Sequence, residues 1–85
     1  MNRIGKLYEW TLANPRASMP FRDFERLIRA FGFVEQRQRG SHRSFRHPDC
    51  PKLLTIQPRA AQAKPYQIKE FLAMVLEFGL EQHEP

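Results

Sequence analysis

In the run Arg39-Gly40-Ser41-His42-Arg43-Ser44-Phe45-Arg46-His47, imidazole, hydroxyl and guanidinium groups crowd around a single glycine. Histidine changes charge near neutral pH, so it can give or accept a proton there. Successive side chains of a strand point to opposite faces. If Phe45 faces a core, Arg43 and His47 share its side, and His42, Ser44 and Arg46 share the other. On an exposed face beside phosphate-binding arginines, His42 could take the proton of a ribose 2′-OH or protonate a leaving 5′-oxygen. The arginines would offset charge growing on phosphorus. A solvent-exposed histidine in a plain hairpin is the alternative reading of the same residues.

Other chemistries fit the same stretch poorly. His42, His47 and Cys50 lie close together, but their spacing matches no paired-ligand pattern. The odd separation of the two histidines also sends them to opposite faces of one strand. No metal and no small-molecule cofactor is expected. Ser41 and Ser44 flank His42, yet no carboxylate is placed to orient the imidazole, and Asp49 belongs to the following turn. That argues against a nucleophilic triad.

Charge singles out the same region. The chain has 85 residues, with Lys+Arg 14, Asp+Glu 9 and a net charge of +5. Ten of the fourteen cations are arginine, whose planar fork suits phosphate. Arg37, Arg39, Arg43, Arg46, Lys52, Arg59 and Lys64 are opposed between positions 36 and 64 only by Asp49, a net of +6. The remainder, with seven cations and eight acids, sums to −1. A polyanionic partner is the expectation, with an ordinary solvated basic surface as the alternative.

The elements that must hold these residues follow from periodicity and turn chemistry. Ile4, Leu7 and Tyr8, with Thr11 and Leu12, fall at helical spacing, and Asn14-Pro15 ends that helix. Residues 15–20 read as a connector. Phe24, Leu27, Ile28 and Phe31 form a stripe at i, i+3, i+4, i+7, with Asp23 favourable in the first turn and Gly32 as the stop. Residues 33–39 and 42–47 read as two antiparallel strands joined at Gly40-Ser41. A proline-bounded turn follows, then a short strand over 53–57 and an Ala-rich loop over 59–64. Pro65 opens a final helix with Ile68, Phe71, Leu72, Val75 and Leu76 as its stripe and Gly79 as terminator. The phenylalanine-rich helical stripe reads as core rather than as a base-stacking platform; Trp10 and Tyr66, which fall at helix edges, are undecided between the two.

The predicted fold is α+β: a three-stranded antiparallel sheet with helices packed on one face and the other face open. The chain reads as a single domain, with a helical extension over 1–20, a core over 21–80 and a frayed tail over 81–85. Folding a chain of this size buries about 60–65% of its extended-chain surface, enough for one small core. Large catalytic folds are thereby excluded. With 41% apolar residues including seven phenylalanines, disorder is a poor reading. The single Cys50 fits a reducing compartment, no apolar run approaches the ~20 residues of a membrane span, and no signal-like stretch opens the chain. A cytoplasmic protein without membrane association is expected.

Phe31-Gly32-Phe33, then Arg39-Gly40-Ser41-His42-Arg43, then Phe45, and a strand reaching Gln57-Pro58 resemble the HicA toxin family. Lys64-Pro65-Tyr66-Gln67-Ile68 and the closing Gly79-Leu80 are similar to that family's last helix, so the resemblance covers Phe21 to Leu80. It implies a double-stranded-RNA-binding-like α-β-β-β-α fold and a toxin that cleaves mRNA without the ribosome. It further implies His42 as the essential histidine, and a HicB-type antitoxin partner that covers the active face. Gly40, Ser41 and Ser44 would join the seven cations named above as RNA contacts. Many members carry a second histidine just after the third strand's proline, where this chain has Arg59 after Pro58. The expected function is a metal-independent endoribonuclease with His42 as general acid or base. The alternative is a non-catalytic double-stranded-RNA-binding module using the same basic face.

Overall fold

The computed structural model describes residues 3–83. Its elements in chain order are α1 (Arg3–Ala13), β1 (Met19–Pro20), α2 (Phe21–Ala30), β2 (Val34–Arg39), β3 (His42–Arg46), β4 (Leu54–Ile56), β5 (Gln62–Ala63) and α3 (Pro65–Phe78). Strands β2, β3 and β4 form an antiparallel sheet in that order, and β1 pairs with β5 in a separate two-residue ladder. The α+β arrangement with three helices and a three-stranded sheet is the one the sequence predicts.

The core is the layer between the sheet and α2 with α3. Phe24, Leu27 and Ile28 of α2, Phe45 of β3, Leu54 and Ile56 of β4, and Phe71 of α3 are all buried. Phe71 meets Phe24, Phe31 and Phe33 edge-on, with ring centroids 5.8, 5.4 and 6.0 Å away. Such tilted pairs add roughly 0.5–1.5 kcal/mol each beyond the area they bury. Helix α1 covers the end of this layer, with Tyr8 5.0 Å from Phe31. Its Thr11 is buried and donates its hydroxyl to the Leu7 carbonyl at 2.8 Å, whereas Leu12 is exposed.

Gly32 is needed on two counts. Its φ is +94°, and a Cβ there would lie 2.9 Å from His47 Nε2 and 3.3 Å from His83 Nε2. The buried imidazole of His47 therefore packs directly under the backbone that leaves α2.

Four expectations are corrected. The connector over 15–20 ends in β1, with Met19 opposite Ala63 and Pro20 opposite Gln62; both Met19 and Ala63 are buried, and burial stabilises a ladder too short to show an alternating pattern. The loop over 59–64 contains a closed turn, in which Arg59 and Gln62 exchange both backbone hydrogen bonds at 2.9 and 3.0 Å. The Ala61 carbonyl of that turn accepts from the Phe21 N–H at 3.0 Å, serving a helix start that has no side-chain cap. In α3 the buried set is Gln67, Ile68, Phe71, Met74 and Val75, while Leu76 faces solvent. The tail expected to fray from Glu81 is tied down as far as His83, whose N–H donates to the Ala30 carbonyl at 2.6 Å; residues 84–85 lie outside the described residues.

Candidate nucleic-acid interface

The β2–β3 hairpin turns at Gly40-Ser41, with Arg39 directly opposite His42. Gly40 has φ +57°. Glycine at the first loop position is what a two-residue II′ hairpin turn takes, because an L side chain there is strained.

Phe45 is fully buried, which fixes the parity of β3. Arg43 and Phe45 face the helices; His42, Ser44 and Arg46 face away from them. Strict alternation along β2 from Glu35, which turns inward to reach Arg29 at 2.8 Å, would send Arg37 and Arg39 inward as well. The register shifts between Glu35 and Arg37, so Glu35 stands opposite Phe45 while Arg37 stands opposite Ser44. Gln36 is the extra residue of a β-bulge, and it accepts from Arg46 Nε at 3.0 Å. The bulge resets the phase and puts Arg37 and Arg39 on the face of His42.

The open face thus carries Arg37, Arg39 and Arg46, the imidazole of His42, and the hydroxyls of Ser44 and Thr55, which lie 3.2 Å apart. Glu35 is the one carboxylate in β2, β3 and β4, and it is on the other side. The exposed His42 has no hydrogen-bond or ionic partner among the described residues. A groove of about 610 Å³ beside the start of α2, lined by Pro20, Phe21, Arg22, Asp23, Pro58, Ala61 and Gln62, contains none of the predicted site residues.

The remaining predicted contacts lie elsewhere. Arg43 turns inward, forms an ion pair with Glu25 of α2 and stacks its guanidinium over Phe21 at 5.9 Å. Its parity, opposite to that of His42, removes it from the open face. Lys52 pairs with Glu77 of α3 at 3.4 Å and sits over Phe78, on the helical side. Arg59 and Lys64 lie beyond β4, at the entry to α3, where Lys64 is the capping residue just before the helix. Of the seven cations in the basic segment, three share the open face with His42. Gly40 and Ser41 are exposed at its turn.

At that entry the structure builds a cluster the sequence reading left undecided. Gln67 is 4% exposed, and its side-chain amide pairs with the Gln57 backbone: Nε2 donates to the carbonyl at 2.8 Å and Oε1 accepts from the N–H at 3.3 Å. It acts as a one-residue strand on the outer edge of β4. The same Nε2 donates to the Tyr66 hydroxyl at 3.2 Å. That bond, together with the nearby Arg59 guanidinium, holds the Tyr66 phenol below its ordinary value. One signal could have found Gln67: it is a polar residue in phase with Phe71 and Met74 on the buried stripe.

Among the described residues no three His, Cys, Asp or Glu side chains converge as metal ligands. No described helix is long and apolar enough to cross a membrane.

Fold and site together define a class: a small α+β protein with a three-stranded antiparallel sheet whose uncovered face is basic. The family described as the HicA toxin of bacterial toxin–antitoxin systems matches residues 21–76, and the chain belongs to that family. The match takes in α2, the sheet and most of α3, and leaves α1 outside. The family consists of toxins that are generally ribonucleases and pair with HicB antitoxins. No curated protein and no solved structure matches the chain.

Proposed function

We propose that this chain is a metal-independent, ribosome-independent endoribonuclease toxin that cleaves mRNA on the open sheet face, with His42 as the proton-transfer group. The observation that carries the reading is the conjunction on that face, among the described residues, of an imidazole with no hydrogen-bond or ionic partner, three arginines and no carboxylate from its three strands. Arg37, Arg39 and Arg46 bind phosphates on either side of the scissile linkage. His42 removes the 2′-OH proton as that oxygen attacks phosphorus, or supplies a proton to the departing 5′-oxygen as the P–O5′ bond breaks. General acid–base help of this kind contributes about 10²–10⁴-fold, so turnover is slow. The same exposed face is the surface a HicB-type antitoxin covers, and carboxylates of that partner would answer the three arginines.

The test is cleavage of a defined mRNA, free of ribosomes, by wild type and His42→Ala in the presence and absence of EDTA. Cleavage by wild type in EDTA and a loss of about 10²-fold or more in His42→Ala are expected. Equal cleavage by both proteins overturns the role of His42, and inhibition by EDTA overturns the metal-free mechanism. Salt-dependent RNA binding with no strand scission by either protein would identify the non-catalytic RNA-binding module instead.

A further inference from the structure

Tyr66 is an aromatic ring left 60% exposed yet held in place. Its hydroxyl accepts from the buried Gln67 amide, with the Arg59 guanidinium close enough to favour the charged phenolate, and Gln67 is itself fixed by two bonds to the Gln57 backbone. An exposed ring anchored by a buried amide has already lost much of the rotamer freedom that binding would otherwise remove. The turn that presents Arg59 is also held against its preference. Its two central residues, Ala60 and Ala61, have φ +54° and +61°, a conformation costing an L residue roughly 1 kcal/mol each. Non-glycine residues persist there when the surroundings over-determine them, and they concentrate at ligand-binding segments.

The location ties this cluster to His42. Arg43 stands opposite Ile56 across β3 and β4, so continuing the register by one residue brings His42 opposite Gln57, the residue Gln67 grips. Tyr66 and Arg59 therefore stand at the His42 end of the sheet, just past the edge of β4. A duplex offers no free base to a tyrosine ring, because its bases are already stacked and paired. An unpaired strand does, and stacking on an aromatic side chain is how such strands are held.

We propose that Tyr66 and Arg59 form a second substrate-contact point, stacking one unpaired base of single-stranded RNA on the Tyr66 ring and binding its phosphate through Arg59. The proposal rests on the ribonuclease reading above and narrows its substrate to RNA that is unpaired next to the cleaved bond.

The experiment uses the full chain and a single-stranded RNA oligonucleotide containing one cleavage site. A second version carries a 2′-deoxy sugar at that site so that binding is measured without scission. Wild type, Tyr66→Phe, Tyr66→Ala and Arg59→Gln are compared, each on substrates with one base at a time removed around the site. Tyr66→Ala is expected to raise KM, and Kd for the uncleavable strand, about 5- to 100-fold with kcat little changed, the value of one stacked base. Tyr66→Phe should retain most of the affinity, and Arg59→Gln should lower the salt slope by about one unit. Removing one particular flanking base should weaken wild type and leave Tyr66→Ala unaffected. An abasic penalty of equal size in both proteins overturns the contact, as does an unchanged Kd in Tyr66→Ala. Should Tyr66→Ala lose its circular dichroism signal, Tyr66→Leu takes its place in the same comparison. Absence of cleavage by wild type would overturn the ribonuclease reading, and the binding series on the uncleavable strand would still decide the Tyr66 contact.

Discussion

Strand β3 and the residue after it carry the same chemistry twice, once on each side. Facing out are His42 and Arg46; facing in are His47 and Arg43. His47 is 6% exposed, lies 5.2 Å from the Phe33 ring, and accepts the Asp49 N–H on Nδ1 at 3.0 Å. Arg43 is paired with Glu25. Outside, His42 has no described partner, and Arg46 meets only the neutral Gln36. Residue type does not separate these two pairs; parity about Phe45 does. The inward pair is committed to holding α2 and the β3–β4 connection in place, and the outward pair is left with its capacity for a ligand unspent.

The largest test of that contrast exchanges the roles of the two histidines. His42→Ala should abolish most cleavage while leaving thermal unfolding unchanged, because its side chain is exposed and makes no hydrogen bond or ion pair among the described residues. His47→Ala should do the reverse. It deletes a buried ring packed under Gly32, at a cost of about 1–3 kcal/mol, and leaves cleavage by the folded fraction close to wild type. Calorimetry on both variants, set beside their cleavage rates, checks this. A His47→Ala protein that melts normally but fails to cleave would put the active face on the wrong side of the sheet.

A smaller effect separates the two arginines. Arg46→Gln should reduce the slope of log affinity against log salt by about one unit, the signature of one lost phosphate contact. Arg43→Gln should leave that slope alone. Its ion pair with Glu25 is partly exposed, the side chains being 31% and 18% accessible, so its loss should cost no more than about 1 kcal/mol of stability. Filter binding of labelled RNA over a salt series, together with denaturant unfolding, distinguishes the two. An equal fall in slope for both variants would break the division of β3 into an inward and an outward side.

Where the sequence could be read correctly, it held an apolar marker. The Phe24, Leu27, Ile28, Phe31 stripe has no second phase, and Phe45 alone suffices to place His42, Ser44 and Arg46 together. Along β2 no buried residue follows Phe33, so nothing in Val34–Arg39 reveals the bulge at Gln36 that sends Arg37 and Arg39 outward. In α3 the apolar residues run nearly all round the helix, and Leu76 and Met74 could be exchanged in the reading without conflict. The withdrawal of Arg43 and Lys52 from the basic face rests on Glu25 and Glu77, each many residues away in the chain. Tertiary partners of that kind leave no local pattern. The Gln67 grip on Gln57 is similar in kind, a side chain doing the work of a strand, and only its phase on the buried stripe marks it.

The finest division lies within the open face itself, between groups that reach for a ligand and groups that reach for each other. Ser44 points outward like Arg46, yet its hydroxyl lies 3.2 Å from that of Thr55 on the neighbouring strand. A cross-strand hydroxyl pair of this sort contributes roughly 0.2–1 kcal/mol to the sheet. If that is its main office, Ser44→Ala should lower stability by that small amount, with Thr55→Ala non-additive with it in a double-mutant cycle, and should change cleavage far less than Arg46→Gln does. If instead Ser44→Ala slows cleavage as much as the arginine variant while its coupling to Thr55 is nil, the hydroxyl belongs with His42 as a substrate contact. The outward side of β3 would then be occupied by substrate along its whole length.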